Sequence, residues 1–413
     1  MRKFFVISCV FLFVFISVSF VLAEDRQNDS IELVESVPEE TIYDFPDIRN
    51  AREVWLDMIN NAKKTLDIEV FYICNEKDEP LESVIEAIKE AGHRGVTVRI
   101  ISDSRFYETY PETLDELGKV SNISVRIIPL VNLTDGVMHA KYFIVDGEEI
   151  FLGSQNFDWK ALKHIREIGI RVKDKKIAET VEKIFNLDWL ICVAKDKDEY
   201  MDKLSFREDL VNSQNPVTLD YKGEKVIIYP AFSPEGLIYE DMTRDEDAIV
   251  GLMNNAREEI LIQVMNYSPV GRDKVFYPAL DNAMRSAAVR GVKVKMIVAN
   301  WSTKKPAIDF LKSLSLVPNI EIKISSIPEW SGGFVSFARV EHCKYMVVDG
   351  DKVWIGTSNW EKSYFYTCRN LSVVVQSKDF NSKLKKIFEK SWNGPYTEMI
   401  EPEKDYKPLE VKE

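Results

Sequence analysis

The sequence predicts an α/β protein built from two homologous α-β-α sandwich halves, related by a pseudo-twofold axis and sharing one active site. Internal repetition carries most of that expectation. The stretch HAKYFIVDGEEIFLGSQNFD at 139–158 returns as HCKYMVVDGDKVWIGTSNWE at 342–361, an offset of 203 residues. The same offset carries KIFNLDW (183–189) onto KIFEKSW (386–392). Upstream, NAKKTLDIEV (61–70) resembles NAREEILIQV (255–264), and RGVTVRII (94–101) resembles RGVKVKMI (290–297), so whole halves are repeated rather than one motif.

Within the first half, apolar positions Val54, Trp55, Met58, Ile59 and Ala62 predict an amphipathic helix, followed by a strand at 66–72, a helix at 81–91 and a strand at 96–101. A short helix near 112–118, a strand at 124–128, a hairpin formed by the motif and a closing helix around 176–187 complete it. Helices alternating with strands argue for a mixed sheet covered by helices in each half. The second half inserts SSIPEWSGGFVSFARVE ahead of its motif. The expected organisation is a signal peptide or N-terminal anchor (1–23), an extension (24–45), the first half (46–195), a polar connector (196–244), the second half (245–400) and a tail (401–413).

Arg2 and Lys3 precede an uncharged run, residues 4–23, which ends with Val21 and Ala23 placed as a cleavage site requires. The chain is therefore expected to be exported, either secreted after cleavage or held at a membrane through residues 4–23 with the remainder on the extracytoplasmic or lumenal side. The net charge of −13 becomes −15 once residues 1–23 are set aside. Sequence-independent duplex binding rests on a broad basic face, which so acidic a chain lacks. Any anionic substrate must be met locally. Cys74, Cys192, Cys343 and Cys368 show no metal-ligand spacing and read as buried apolar cysteines.

In a strand, alternate side chains share a face, so His139 and Lys141 point one way while Ala140, Tyr142 and Ile144 point the other. An isolated His-x-Lys reads as a solvated edge strand. A second copy with the same His, Lys, Asp, Gly, Ser/Thr and Asn does not. If the halves meet about a pseudo-twofold axis, His139, Lys141 and Asn156 face His342, Lys344 and Asn359. Two ammonium groups repel a cation and the histidines have no carboxylate or thiolate of ligand spacing, so neither a metal nor any other cofactor is expected. A phosphodiester fits well. Lysines and asparagines would hold its non-bridging oxygens, one neutral histidine would attack phosphorus, and the other, protonated, would serve the leaving oxygen. Asp146 and Asp349 each precede a glycine at a turn, where aspartate is favoured for backbone bonding alone; turn former and orienting catalytic partner both stay open. His93 and His164, which lack counterparts, read as surface residues.

The paired blocks resemble the two HxKxxxxD signatures of the phospholipase D superfamily. More narrowly, VPEETIYDFP, GSQNFDWKAL, ARVEHCKYMVVD, GTSNWEKSYF and WNGPYTEM resemble the lysosomal phospholipase D-like 5′-exonucleases, from about residue 34 to 400. The resemblance implies metal-independent cleavage through a phosphohistidine and removal of 3′-phosphorylated nucleotides from the 5′ end of single strands. It implies His139 as nucleophile, His342 as proton donor and Glu167 as the acid that steadies the opposite histidine. At the offset of 203 the second half carries Asn370 instead of an acid, so the repeat is chemically asymmetric.

Aromatic residues crowd the motifs. Trp330, Phe334 and Phe337, from the inserted loop, and Tyr72 are expected to contact substrate; stacking contributes ~1–3 kcal/mol per base and would compensate for the missing basic face. Phe71, Tyr267, Trp301, Trp360, Tyr364 and Phe365 read more readily as core. The competing partner is a phospholipid, hydrolysed or transferred at the same site. From another class, a non-catalytic phosphate-binding scaffold predicts decay of one motif, and both are intact. A homodimer is compatible with the sequence.

Overall fold

The computed structural model describes residues 29–204, 210–271 and 273–409. The segment read as signal peptide or anchor lies outside them. Among the described residues no helix is long and apolar enough to cross a membrane.

The first half contains β1 (Ile31–Ser36), α1 (Ala51–Asn61), β2 (Thr65–Val70), α2 (Glu82–His93), β3 (Thr97–Asp103), α3 (Glu112–Leu117), β4 (Ile123–Ile128), β5 (Lys141–Val145), β6 (Glu149–Gly153), β7 (Glu167–Lys173) and α4 (Lys175–Ile191). Its eight-stranded sheet runs from the short Arg49–Asn50 strand through β1, β7, β6, β5, β2 and β3 to β4. β2, β3 and β4 are parallel; β5, β6, β7 and β1 each run antiparallel to the preceding neighbour. The second half repeats the plan with β8 (Val217–Tyr221), β9 (Glu224–Ser233), α5 (Asp245–Asn255), β10 (Glu259–Val264), α6 (Ala279–Val289), β11 (Lys293–Ala299), α7 (Ala307–Ser315), β12 (Ile320–Ser325), β13 (Lys344–Val348), β14 (Lys352–Gly356), β15 (Asn370–Gln376), α8 (Lys378–Asn393) and β16 (Thr397–Met399). Its nine-stranded sheet has the order β8-β9-β15-β14-β13-β10-β11-β12-β16.

The apolar face expected of α1 is the one it buries, with Val54, Trp55, Met58 and Ile59 all inaccessible, and Asn50 caps it by accepting from the Arg52 N–H at 3.0 Å. β5 shows the alternation that the motif predicts. Phe143 and Val145 pack beneath the outer helices, whereas Ala140, Tyr142 and Ile144 join a core that also contains Tyr345, Val347, Leu371 and Val373 of the other half. The central strands of the two sheets meet there, and α4 and α8 pack into the same core. The strand ends that carry the two motifs are thereby brought together.

Two segments outside the expected halves contribute strands. Residues 24–45 are not merely an extension, because β1 pairs in register with β7 from Ile31↔Val172 to Ser36↔Glu167. The connector at 196–244 likewise contributes β9, which pairs with β15 from Ile227↔Gln376 to Ser233↔Asn370. In both places the added strand completes the backbone hydrogen bonding of the strand that follows the motif, and a further strand pairs outside it.

Candidate active site

Asp146 and Gly147 both have positive φ (56° and 65°), as do Asp349 and Gly350 (51° and 71°). A tight hairpin turn of the primed type requires this geometry, which explains the Asp-Gly pair in each copy. The Asp146 carboxylate accepts the backbone N–H groups of Lys63, Lys64 and Thr65 at 2.6–3.1 Å, and Asp349 accepts those of Arg257, Glu258 and Glu259 at 2.8–3.2 Å. Each aspartate thus ties its hairpin to the loop before β2 or β10, at the opposite end of β5 or β13 from the histidine. Of the two roles the sequence leaves open for these aspartates, the bonds seen are those of the turn former: they lock the strands that present the site. Asp146→Ala is expected to cost about 2 kcal/mol in urea unfolding while leaving kcat per folded molecule within about 3-fold.

The other ends of those strands carry the chemistry. His139, Lys141, His342, Lys344, Glu167, Asn359 and Asn370 are all buried, and Asn156 is half-buried. Each histidine ring is oriented by the opposite half. His139 Nδ1 lies 3.1 Å from Asn370 Oδ1, and His342 Nδ1 lies 2.8 Å from Glu167 Oε2. Thr357 donates to the same Asn370 oxygen at 2.9 Å, while Ser154, its counterpart in the first motif, donates to the Ile168 carbonyl at 3.1 Å and accepts the Ile168 N–H at 3.0 Å, next to Glu167. The repeated Ser/Thr of GSQN and GTSN therefore holds the strand segment that carries a histidine's partner rather than the histidine itself. The lysine ammonium groups each donate back to the carbonyl of their own histidine, Lys344 to His342 at 2.8 Å and Lys141 to His139.

Electrostatics shows that the four groups converge. Burial, then Lys141 and Lys344, hold the His139 imidazole well below its ordinary pKa; burial, then Lys344 and Lys141, do the same for His342. Lys141 is itself lowered by burial and by Lys344, and burial brings Lys344 down to about 8. Burial pushes the Glu167 carboxyl up to about 8. Glu167 and His342 are thus a buried hydrogen-bonded acid–base pair. A phosphodiester anion between the ammoniums would offset their charge and favour the imidazolium at His342, which has a carboxylate behind it. His139 has only a neutral amide oxygen behind it, so it stays neutral with Nε2 unprotonated. Asn156 and Asn359 each keep an amide oxygen without a protein partner, and a half-turn of the amide presents its N–H groups at the same place.

The aromatic expectations divide. The Tyr72 hydroxyl donates to Asp158 at 3.0 Å and accepts from Asn156 Nδ2 at 3.3 Å, so it positions a site amide instead of waiting for substrate. Trp330 is half-buried, 5.0 Å from the His164 ring and beneath Lys163, and is spent on anchoring its loop. Phe334 and Phe337, 56% and 44% exposed, remain available for substrate, with Trp301 6.1 Å behind Phe337. Trp360, Tyr267 and Phe365 are core. Phe71 and Tyr364 instead flank His139 at 5.0 and 4.8 Å. His164 is a correction: it is inaccessible, and burial, then Lys163 and Arg339, push it down to about 4. The inserted loop covers it, with Arg339 donating its N–H to the His164 carbonyl at 3.0 Å. His93 is exposed. The four cysteines are free, Cys343 and Cys368 buried and the others half-buried. Among the described residues no group of three histidine, cysteine or carboxylate side chains is placed to hold a metal ion.

Two homologous lobes that place one His-Lys-Asn set each against a common centre define a phosphodiesterase. The family model described as cardiolipin synthase, PLD-like domain, matches residues 55–189 and 249–392, and the chain belongs to the phospholipase D superfamily. It is 32% identical over 389 residues to Phospholipase D Z of Dictyostelium discoideum, covering 89% of this chain and 90% of that protein. It is 30% identical over 411 residues to 5′-3′ exonuclease PLD3 of Xenopus tropicalis, covering 91% and 83%. Among solved structures, phosphatidylserine synthase of Haemophilus influenzae Rd KW20 aligns with TM-score 0.60 over 84% of this chain and 85% of that one, at 12% identity, a likeness of fold.

Proposed function

We propose that this phosphodiesterase works through a phosphohistidine and is a single-stranded nucleic acid 5′-exonuclease that releases 3′-phosphorylated nucleotides. His139 Nε2 attacks phosphorus with its lone pair, the P–O5′ bond of the following nucleotide breaks, and the departing oxygen takes a proton from His342 Nε2. Water then gives its proton to His342 and attacks phosphorus, the P–N bond breaks, and the 3′-phosphorylated nucleotide leaves with His139 neutral again. Lys141, Lys344, Asn156 and Asn359 bind the non-bridging oxygens as their charge grows.

The observation that carries the substrate reading is the inserted loop, which runs directly into His342 and exposes Phe334 and Phe337. The loop is tied down by the Ser331 N–H donating to Glu40 at 2.8 Å and by Arg339 donating to the Glu39 carbonyl at 2.7 Å. Exposed rings on an anchored loop suit unpaired bases, which stack without a basic face. The likeness to proteins named 5′-3′ exonuclease supports the same reading. The likeness to a protein named phospholipase D supports lipid hydrolysis at the same centre as the second reading. Export by the apolar run at 4–23 would place either activity outside the cytoplasm. Mass analysis of products from a single-stranded oligonucleotide and from phosphatidylcholine separates the two. Mononucleotide 3′-phosphates appearing from the 5′ end are expected, and phosphatidic acid alone would overturn the nuclease reading.

A further inference from the structure

Arg166 and Arg369 stand 203 residues apart, each one position before the residue that orients a histidine ring, and both are fully buried. Their main chains reach across to the other half. His139 donates its N–H to the Arg369 carbonyl at 2.9 Å, and Arg369 donates to the Val137 carbonyl at 3.0 Å. His342 donates to the Arg166 carbonyl at 2.9 Å, and Arg166 donates to the Val340 carbonyl at 3.1 Å. Whatever holds each arginine still also holds the backbone of the opposite histidine.

The two arginines are held very differently. The Arg369 guanidinium makes a fork with Asp188 of α4 at 2.6 and 2.7 Å and donates to the carbonyls of Ser233 and Leu237, both at 2.9 Å. Glu69 lies beside this fork. Burial, then Asp188, raise its carboxyl well above the usual range, so it keeps its proton, and it is bonded to the Tyr142 hydroxyl. The Arg166 guanidinium makes one hydrogen bond, from Nη1 to Glu35 at 2.6 Å, with the Tyr43 ring 5.2 Å away and the buried Glu341 carboxylate nearby, and its Nε and Nη2 have no hydrogen-bond partner. The reason lies in the repeat. Tyr345 faces Gln263 where Tyr142 faces Glu69, and the position of Asp188 is taken by Ser391, so no carboxylate fork exists on that side.

We infer that Arg369 is a positioning residue for the attacking histidine, and that Arg166 holds the acid–base histidine more loosely. Attack on phosphorus needs a lone pair held in line at near contact, where a 1 Å misplacement costs on the order of 10²-fold. The bidentate fork supplies that stiffness. The acid–base imidazole serves two oxygens in turn, the leaving group and then water, and tolerates a softer mount. The inference rests on the two-histidine reading and adds a ground, internal to this chain, for assigning attack to His139.

The test uses the full chain and bis(p-nitrophenyl) phosphate, following the first-turnover burst of nitrophenol and the histidine adduct by mass spectrometry. Arg369→Lys keeps the charge and loses the fork; its burst is expected to slow about 30-fold or more with KM within about 3-fold. Arg166→Lys is expected to keep the burst rate and slow only the steady state. Asp188→Asn lets Glu69 ionise as the counter-ion, and its burst is expected to slow about 10-fold with a native near-UV spectrum, which keeps the test open if Arg369→Lys fails to fold. A burst at the unmodified rate in Arg369→Lys or Asp188→Asn, or equal slowing in Arg166→Lys, overturns the positioning role. No burst and no histidine adduct in the unmodified chain overturns the two-histidine reading beneath it.

Discussion

His139→Ala is expected to abolish the covalent adduct and to lower phosphodiester turnover by at least about 10³-fold, since no other unprotonated imidazole nitrogen faces the phosphate. His342→Ala is expected to lower turnover of an alkoxide-leaving substrate by about 10²–10⁴-fold, the usual worth of a positioned acid–base group. The two variants separate on a substrate whose leaving group needs no proton. With bis(p-nitrophenyl) phosphate, His342→Ala still releases its first nitrophenol and then stalls as the adduct, because no base activates water. His139→Ala releases none. Rapid quench with mass analysis of the trapped chain reads the difference, and an adduct on His342 in the unmodified protein would reverse the assignment. Because each ring is oriented by a residue of the other half, both losses should appear without a comparable loss of urea stability.

Lys344→Met is expected to reduce kcat/KM at pH 7 by about 10²-fold or more through loss of a donor to the developing charge. It should also move the acid limb of the pH profile, and the sign follows from the site. The His139 imidazole is held down first by burial and then by Lys141 and Lys344. Attack requires the neutral ring, so the unmodified protein keeps its nucleophile well into acid. Removing one cation raises the imidazole pKa, and activity is then lost at a higher pH as the solution is acidified. A Lys344→Met variant whose acid limb stays in place or moves downward would show that the ammonium does not face His139. Lys344→Arg keeps the charge and is expected to leave the limb where it was, although the larger guanidinium in a fully buried site should still lower kcat.

Much of this site was legible from residue type and spacing, and the parts that were not share a cause. The hairpin, its lysines and the convergence of the two motifs follow from strand alternation and an offset repeated over whole halves. Asp146 and Asp349 were legible only as alternatives, since an aspartate before glycine looks the same whether it bonds three amides of a neighbouring loop or orients a base. His164 was misread because burial of a histidine at 164 depends on a loop near 330 that closes over it. The strands β1 and β9 went unread because they lie outside the repeated blocks and pair with β7 and β15, more than 130 residues away along the chain.

By itself the sequence determined the doubled chemistry: which residues could attack, protonate and bind, and that Glu167 and Asn370 break the symmetry between halves. Those are properties of side-chain type at a fixed separation along the chain. Only the tertiary structure decided who serves whom. Asn370 orients His139, Glu167 orients His342, and Arg369 is locked to a helix of the other half. Hydrogen bonds have a reach of about 3 Å. Partners more than a hundred residues apart come within it only when the two sheets meet around their common core.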